Sequence, residues 1–214
     1  LLRLFSSEAP ALLFTASHGL GYSHEDPRQR ALQGSLLCSD MDGPFVEQRP
    51  VPREAFFCAE DVPAESTFDG LLAVHFACYG AGTPEWDSFA QARGAPQRRR
   101  CHKPFVAGLP QRLLAHGHGA LAVVGHVDQA WTTSFSWGEG SEPLAFEEML
   151  KLLLHGQPVG ASLEPLRELW ASLSRRLNDI WQRGQRGARV DPTELTHVWT
   201  ADRDVMSYVI LGDP

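Results

Sequence analysis

The stretch Leu71-Leu72-Ala73-Val74-His75-Phe76-Ala77-Cys78-Tyr79-Gly80 decides the fold. Its first seven residues form a nearly continuous apolar run, which then ends at a thiol, a phenol and a glycine. Continuous apolar runs are typical of strands buried on both faces, as in a parallel sheet covered by helices. Two similar runs, at 11–16 and 120–125, predict two more buried strands, and 34–39 is a weaker candidate.

Helical patterns lie between and after these runs. The clearest covers 163–183, where apolar residues recur at three- and four-residue spacing. Ser162 is the predicted N-cap of this helix and Gly184 its predicted stop. Shorter helices are predicted at 110–117 and 144–155. Strands that alternate with helices favour an α/β fold, a three-layer α/β/α sandwich with a mostly parallel sheet.

The composition argues against several classes of function. The 214 residues carry 19 Lys and Arg against 26 Asp and Glu, which gives a formal net charge of −7. A net-acidic chain lacks the basic face that nucleic acids require, and the sequence contains no apolar run long enough to span a membrane. We therefore expect neither nucleic acid nor membrane as a partner. The four cysteines form no Cys-x-x-Cys pair, which predicts reduced thiols, no metal site and a cytoplasmic protein.

The ends of the first two predicted strands carry the residues best suited to chemistry. The first strand ends in His18-Gly19 and the second in Cys78. Neighbouring strands lie about 4.8 Å apart, so parallel neighbours would bring the imidazole and the thiol to one edge of the sheet. There His18 could act as general base for a Cys78 nucleophile, and the N–H groups of Gly19 and Cys78 could hold an oxyanion. The long segments 19–33 and 80–103 should border this site.

From the residues alone, a structural role for both groups stays open. A cysteine that ends a buried strand is often a small core residue, and a histidine at such a boundary is often only polar. His116 and His118 lack a carboxylate or thiol at ligand spacing, so a metal site there is not expected.

Two motifs resemble those of the caspase-like cysteine peptidases: Ser17-His18-Gly19, and the segment from His75 to Gly80. Within this group the sequence is most similar to CHAT domains, which are related to separase and the gingipains. Residues 104–127 resemble the helix and strand after the catalytic cysteine, and 208–214 resemble the segment that closes such domains. The sequence departs from the pattern at Tyr79-Gly80, where many CHAT domains have His-Gly or Glu-Thr-Gly.

The resemblance implies that residues 1–214 are the catalytic part of a single peptidase domain, with His18 as general base and Cys78 as nucleophile. It implies a cysteine endopeptidase that acts on a protein substrate without a cofactor, in bacteria often in defence or cell death, for example by cleaving a gasdermin. Family domains place strands before the one that ends in His-Gly, so another chain or an N-terminal fragment is expected to complete the sheet. The alternative is a non-catalytic interaction or scaffold module.

The resemblance also suggests residues for substrate specificity. In separase-like relatives, an acidic residue in the loop after the third strand receives a basic side chain, a role that Asp128 would take here; alternatively, Asp128 is a loop or cap residue. Trp131 and Trp137 are candidates to line the pocket, with core positions as the alternative. Arg98–Arg100, in the loop after Cys78, would suit an acidic substrate residue, but a run of three is usually a solvated stretch or a cleavage-prone tip.

Overall fold

The computed structural model describes residues 10–38, 51–90, 96–134 and 144–213. In chain order the elements are β1 (Leu12–Ala16), α1 (Gln29–Leu32), β2 (Leu36–Leu37), β3 (Phe56–Phe57), β4 (Leu72–Phe76), β5 (Gly82–Thr83), β6 (Phe105–Val106), α2 (Gly108–Leu114), β7 (Ala122–His126), α3 (Leu144–Leu154), α4 (Val159–Ser162), α5 (Glu164–Gln185), α6 (Pro192–Met206) and β8 (Tyr208–Gly212). Short 3-10 helices occupy Arg53–Ala55, Ala59–Asp61 and Thr132–Ser134.

The central sheet has the strand order β1-β4-β7-β8. The strands β1, β4 and β7 are parallel neighbours, and β8 runs antiparallel to β7. The chain is therefore an α/β protein with a mostly parallel four-stranded sheet, and the three predicted strands are confirmed. β4 and β7 are largely buried, whereas β1 lies at the edge of the described sheet with Leu13 as its one buried residue. The weaker candidate at 34–39 contains only the two-residue strand β2, which pairs with β3 outside the central sheet.

Both faces of the sheet are covered, which explains the continuous apolar runs. Because side chains alternate across a strand, Leu13, Ala73 and Val123 share one face and pack near α2. Val74 and Val124 share the other face and pack against helical residues from α3 to α6. None of the helices in the described part of the chain combines the length and the apolarity that a membrane span requires.

The longest helix, α5, begins and ends at other residues than predicted. Ser162 belongs to the preceding short helix, and Gly184 lies inside α5. The helix starts after Leu163 with Pro165 in its first turn, where a missing N–H costs nothing. It ends before Gly187, whose φ of +80° suits the left-handed turn that follows many helices. The two predicted boundary residues were therefore wrong, although the helix itself is confirmed.

Helix α6 was not predicted, although its start carries a clear signal. The carboxylate of Asp191 accepts a hydrogen bond from the N–H of Thr193, and Pro192 opens the first turn. The helix packs along α5 and buries two carboxylates, Asp202 and Asp204. One of these, Asp204, reaches the loop beside Cys78.

Candidate active site

The parallel register of β1 and β4 sets His18 opposite Cys78. Ala16 pairs with Phe76 in this register, and the N–H of Ser17 donates to the Phe76 carbonyl at 3.0 Å. Continuing the register by two residues aligns the two candidate catalytic positions. The side chain of His18 is exposed and that of Cys78 is half-buried, so the structure brings both residues to the expected edge of the sheet.

The backbone of Gly19 lies directly against the backbone of Cys78. A Cβ atom at Gly19 would lie 1.9 Å from the Cys78 carbonyl oxygen and 2.9 Å from its nitrogen. Only glycine permits such an approach. The backbone of Gly19 also acts to lower the pKa of the Cys78 thiol, which favours the thiolate. The two residues proposed for the oxyanion site are thus in contact.

A second glycine presses on the next residue of the same turn. Gly34 has a φ of +79°, and a Cβ atom there would lie 2.2 Å from the carbonyl oxygen of Tyr79. Tyr79 itself has a φ of 59°, which is uncommon for a residue other than glycine. The chain around Gly34 is held to the segment after β1, because its N–H donates to the Leu20 carbonyl at 2.8 Å. The strained turn is therefore braced through its own neighbours.

The sulfur of Cys78 lies against the loop after β7. The N–H of Ala130 donates to the sulfur at 3.3 Å, and the thiol donates to the Ala130 carbonyl at 3.6 Å. Burial raises the pKa of the Cys78 thiol above its ordinary value, and the negative charges of Asp204 and Asp128 act in the same direction. The thiol is therefore protonated at neutral pH, and a base is required to activate it.

His75, the histidine within β4, is not accessible to a substrate. Its side chain is buried, and its Nδ1 lies 2.7 Å from the hydroxyl of Thr15. Burial lowers the pKa of His75 to about 4, so its ring is neutral at neutral pH. Of the histidines in the two motifs, His18 is the one with an exposed ring.

Asp128 lies at the same edge, but its carboxylate is engaged within the protein. It is 2% exposed and accepts hydrogen bonds from the hydroxyl and the N–H of Ser88 and from the N–H of Gln129. Its carbonyl accepts the N–H of Tyr79 at 2.8 Å. Burial raises the pKa of the Asp128 carboxyl. Asp128 thus joins the loop after β4 to the loop after β7, which agrees with the alternative of a loop residue.

Trp131 is half-buried, with its ring centroid 5.8 Å from that of Phe89. Its backbone N–H donates to Asp204 at 2.8 Å. Trp131 therefore packs between the loop after β4 and α6, close to Cys78. Trp137 lies outside the described residues.

The arginine run after Cys78 is not uniformly solvated. Arg98 and Arg99 are exposed, whereas Arg100 forms a partly buried ion pair with Asp87 at 2.6 Å. The guanidinium of Arg100 also lies 5.9 Å from the ring centroid of Tyr79. Arg99 also pairs with Glu85 at 2.8 Å and donates to the carbonyls of Cys101 and His102. The last residue of the run therefore supports the turn after Cys78, and of the three arginines the expectation of a solvated stretch fits Arg98.

The loops that follow β1 and β4 touch each other, as expected for two loops that border one site. The rings of His24 and His102 meet edge to face with centroids 5.3 Å apart. The side-chain amide of Gln29 donates to the carbonyl of Arg100 at 2.7 Å. Both contacts join the two loops on the side of α1.

The four cysteines lie in the described ranges and form no disulfide: Cys38 and Cys78 are half-buried, and Cys58 and Cys101 are buried. His118 lies 2.8 Å from the carboxylate of Asp69. Within 10–38, 51–90, 96–134 and 144–213, no three His, Cys, Asp or Glu side chains are grouped to bind a metal ion.

Sequence reasoning missed Asp204, which lies on α6 with no accessible surface. Besides the N–H of Trp131, its carboxylate accepts the hydroxyl of Thr133 at 3.1 Å and lies 3.4 Å from Nε2 of His126. Burial lowers the pKa of His126 to about 3, so this ring is neutral. The signal available in the sequence was a pair of acidic residues, Asp202 and Asp204, inside an amphipathic helix.

No family model, curated protein or solved structure matches the chain. These comparisons identify no caspase-like peptidase, and the resemblance rests on the quoted motifs. The fold and the site place the chain among the α/β proteins, with His18, Gly19 and Cys78 at the carboxyl ends of two parallel strands.

Replacing Gly19 by alanine is expected to destabilise the protein and displace Cys78. The new Cβ would collide with backbone atoms, which cannot rotate away as a side chain can, so we expect a cost of about 3 kcal/mol, the upper end for overpacking. Chemical denaturation measures it. Gly117→Ala is the control, because a Cβ there meets nothing within 4 Å. Equal stabilities of the two variants would contradict the close contact.

Proposed function

We propose that the chain is a cysteine endopeptidase in which Cys78 is the nucleophile and His18 the general base. The observation that carries the proposal is the contact between the Gly19 and Cys78 backbones at the ends of two paired parallel strands. This contact gathers an exposed imidazole, a thiol and backbone N–H groups at one edge of the sheet. Those are the groups that acyl transfer through a thioester requires.

The raised pKa of Cys78 determines how the first step proceeds. Because the thiol is neutral at rest, His18 removes its proton as the sulfur attacks the peptide carbonyl. A sulfur–carbon bond forms and the carbonyl electron pair moves to the oxygen, which the N–H groups of Gly19 and Cys78 stabilise. The carbon–nitrogen bond then breaks, and the protonated His18 gives its proton to the leaving amine. Water hydrolyses the thioester and restores the thiol.

The proposal includes the finer description of the fold and the setting of the protein. Separate apolar clusters on the two sheet faces support a three-layer, caspase-like sandwich. Four cysteines without a disulfide support a cytoplasmic location, because reducing compartments keep thiols reduced. A protein substrate, a role in bacterial defence and further strands from another chain or fragment follow from the resemblance alone.

One observation favours the alternative of a non-catalytic interaction or scaffold module. The Cys78 sulfur accepts a hydrogen bond from the N–H of Ala130, and the thiol donates one to the Ala130 carbonyl. Burial also raises the pKa of this thiol. Thiols in such surroundings are usually unreactive. In the peptidase, a bound peptide would be attacked by Cys78 while His18 takes the thiol proton. In the scaffold, no such reaction would occur.

We expect Cys78→Ala and His18→Ala each to abolish cleavage of an arginine-containing fluorogenic peptide, or of a protein substrate once one is found. The first removes the nucleophile and the second removes the base. Cys38→Ala and His24→Ala are matched controls, because Cys38 is also half-buried and His24 also lies in the loop after β1. Both controls should retain activity. Cleavage that survives Cys78→Ala would disprove the proposed nucleophile.

A labelling experiment separates the enzyme from the scaffold without knowledge of the substrate. A peptidyl acyloxymethyl ketone needs an activated nucleophile, so it should label Cys78 in the native protein and fail to do so in His18→Ala. Iodoacetamide, which requires no base held in the site, should label Cys78 equally slowly at pH 7 in both proteins. Mass spectrometry of the labelled peptides measures the extent of Cys78 labelling by each reagent. Ketone labelling of Cys78 no faster than that of Cys38 would favour the scaffold.

The buried position of Asp128 predicts how Asp128→Asn affects substrate choice. Because its carboxylate bonds to Ser88, we expect the variant to lower kcat/KM equally for peptides with arginine and with glutamine before the cleaved bond. Ser88→Ala should act in the same way, since it removes one of the same hydrogen bonds. A loss of at least about ten-fold confined to the arginine peptide would instead assign Asp128 to recognition of a basic side chain.

A further inference from the structure

A buried carboxylate on α6 holds the loop that touches the Cys78 sulfur. Asp204 accepts the N–H of Trp131 at 2.8 Å and the hydroxyl of Thr133 at 3.1 Å, and lies 3.4 Å from Nε2 of His126. These three partners belong to the end of β7 and the loop that follows it. A single side chain therefore fixes this loop at several points.

The residue of this loop that contacts the Cys78 sulfur is next in sequence to the residue that Asp204 binds. Ala130, whose N–H lies 3.3 Å from the Cys78 sulfur, directly precedes Trp131, whose N–H is bound by Asp204. The Ala130 carbonyl, which accepts the Cys78 thiol at 3.6 Å, and the Trp131 N–H belong to one planar peptide group. Movement at the Trp131 anchor therefore moves the carbonyl that contacts the thiol.

We propose that Asp204 is a positioning residue for the nucleophile: it holds the loop after β7 so that Ala130 fixes the Cys78 sulfur for attack. The inference rests on the proposed function of Cys78. Asp204 acts through the loop and touches neither substrate nor reacting atoms.

The cost of burying this carboxylate supports a specific role. Burying a carboxylate is expensive unless hydrogen bonds replace the lost water, and Asp204 accepts such bonds from Trp131 and Thr133. The carboxylate also bears on the thiol, because its negative charge raises the pKa of Cys78. The other ionisable groups around the thiol are Asp128, from the loop after β7, and His18, at the end of β1.

The neighbouring Asp202 offers a matched control. It lies on the same helix and is also buried, but its carboxylate accepts the hydroxyl of Ser174 on α5 at 2.5 Å. Its other partner is Arg203, with 3.5 Å between Nε and the carboxylate. Removing Asp202 therefore disturbs the packing of the same helix on α5, away from the loop that reaches Cys78.

The test compares Asp204→Ala and Asp204→Asn with Asp202→Ala and Asp202→Asn in the full chain. Asp204→Ala should lower kcat by about a hundred-fold, the effect of misplacing a reacting group by about 1 Å, with little change in KM. Asp202→Ala should stay within about three-fold of the native kcat. Equal kcat values for the two alanine variants would overturn the inference.

The asparagine variants give a second readout that needs no peptidase activity and keeps the side chain's size. Asp204→Asn removes the charge beside the thiol, so the pH profile of iodoacetamide labelling of Cys78 should move to lower pH, whereas that of Asp202→Asn should not. Coincident profiles would overturn the inference. If no protein cleaves any peptide while the Asp204→Asn profile moves, the proposed function fails and the link between Asp204 and Cys78 stands.

Discussion

The close approach of two glycines to the turn after β4 is the constraint on which the site depends. Gly19 presses on the carbonyl of Cys78, and Gly34 presses on that of Tyr79. Any side chain at either glycine would drive the turn away from β1. The turn then continues from the left-handed Tyr79 to Ala81, whose N–H donates to the His126 carbonyl at 2.8 Å. One steric fit thus fixes the thiol relative to both neighbouring strands.

The charges around the thiol determine the chemistry that this rigid turn can support. Asp128 and Asp204 are buried nearby and bind N–H and O–H groups, and their negative charges act to raise the pKa of Cys78. The thiolate is therefore disfavoured at rest. A protonated thiol is also the form least prone to oxidation. Under the proposed mechanism the thiol therefore loses its proton to His18 only when a substrate is bound.

Patterns along the chain predicted the strands of this site, but not the contacts between distant loops. Continuous apolar runs identified β1, β4 and β7, and for β4 and β7 the reason is that strands covered on both faces have no polar side to display. The bond from Asp204 to Trp131 joins residues 73 apart, and that from Asp128 to Ser88 joins residues 40 apart. No local periodicity encodes such pairs. The start of α6, by contrast, was encoded locally: Asp191-Pro192 is a typical beginning of a helix and could have been recognised in the sequence.

The strain at Tyr79 alone does not separate an enzyme from a scaffold, because packing explains it. A left-handed residue other than glycine costs about 1–3 kcal/mol, but the Tyr79 ring is 4% exposed and covered by Arg100, which a glycine could not replace. Hydrogen bonds to the sulfur do not separate the two functions either, because the buried Cys58 also accepts one, from the guanidinium of Arg53 at 3.3 Å. The position of the thiol is more informative. Of the four cysteines, Cys78 is the one that follows a strand of the central sheet, where it lies against the Gly19 backbone and across the register from the exposed His18, and acyl transfer needs those groups at one place.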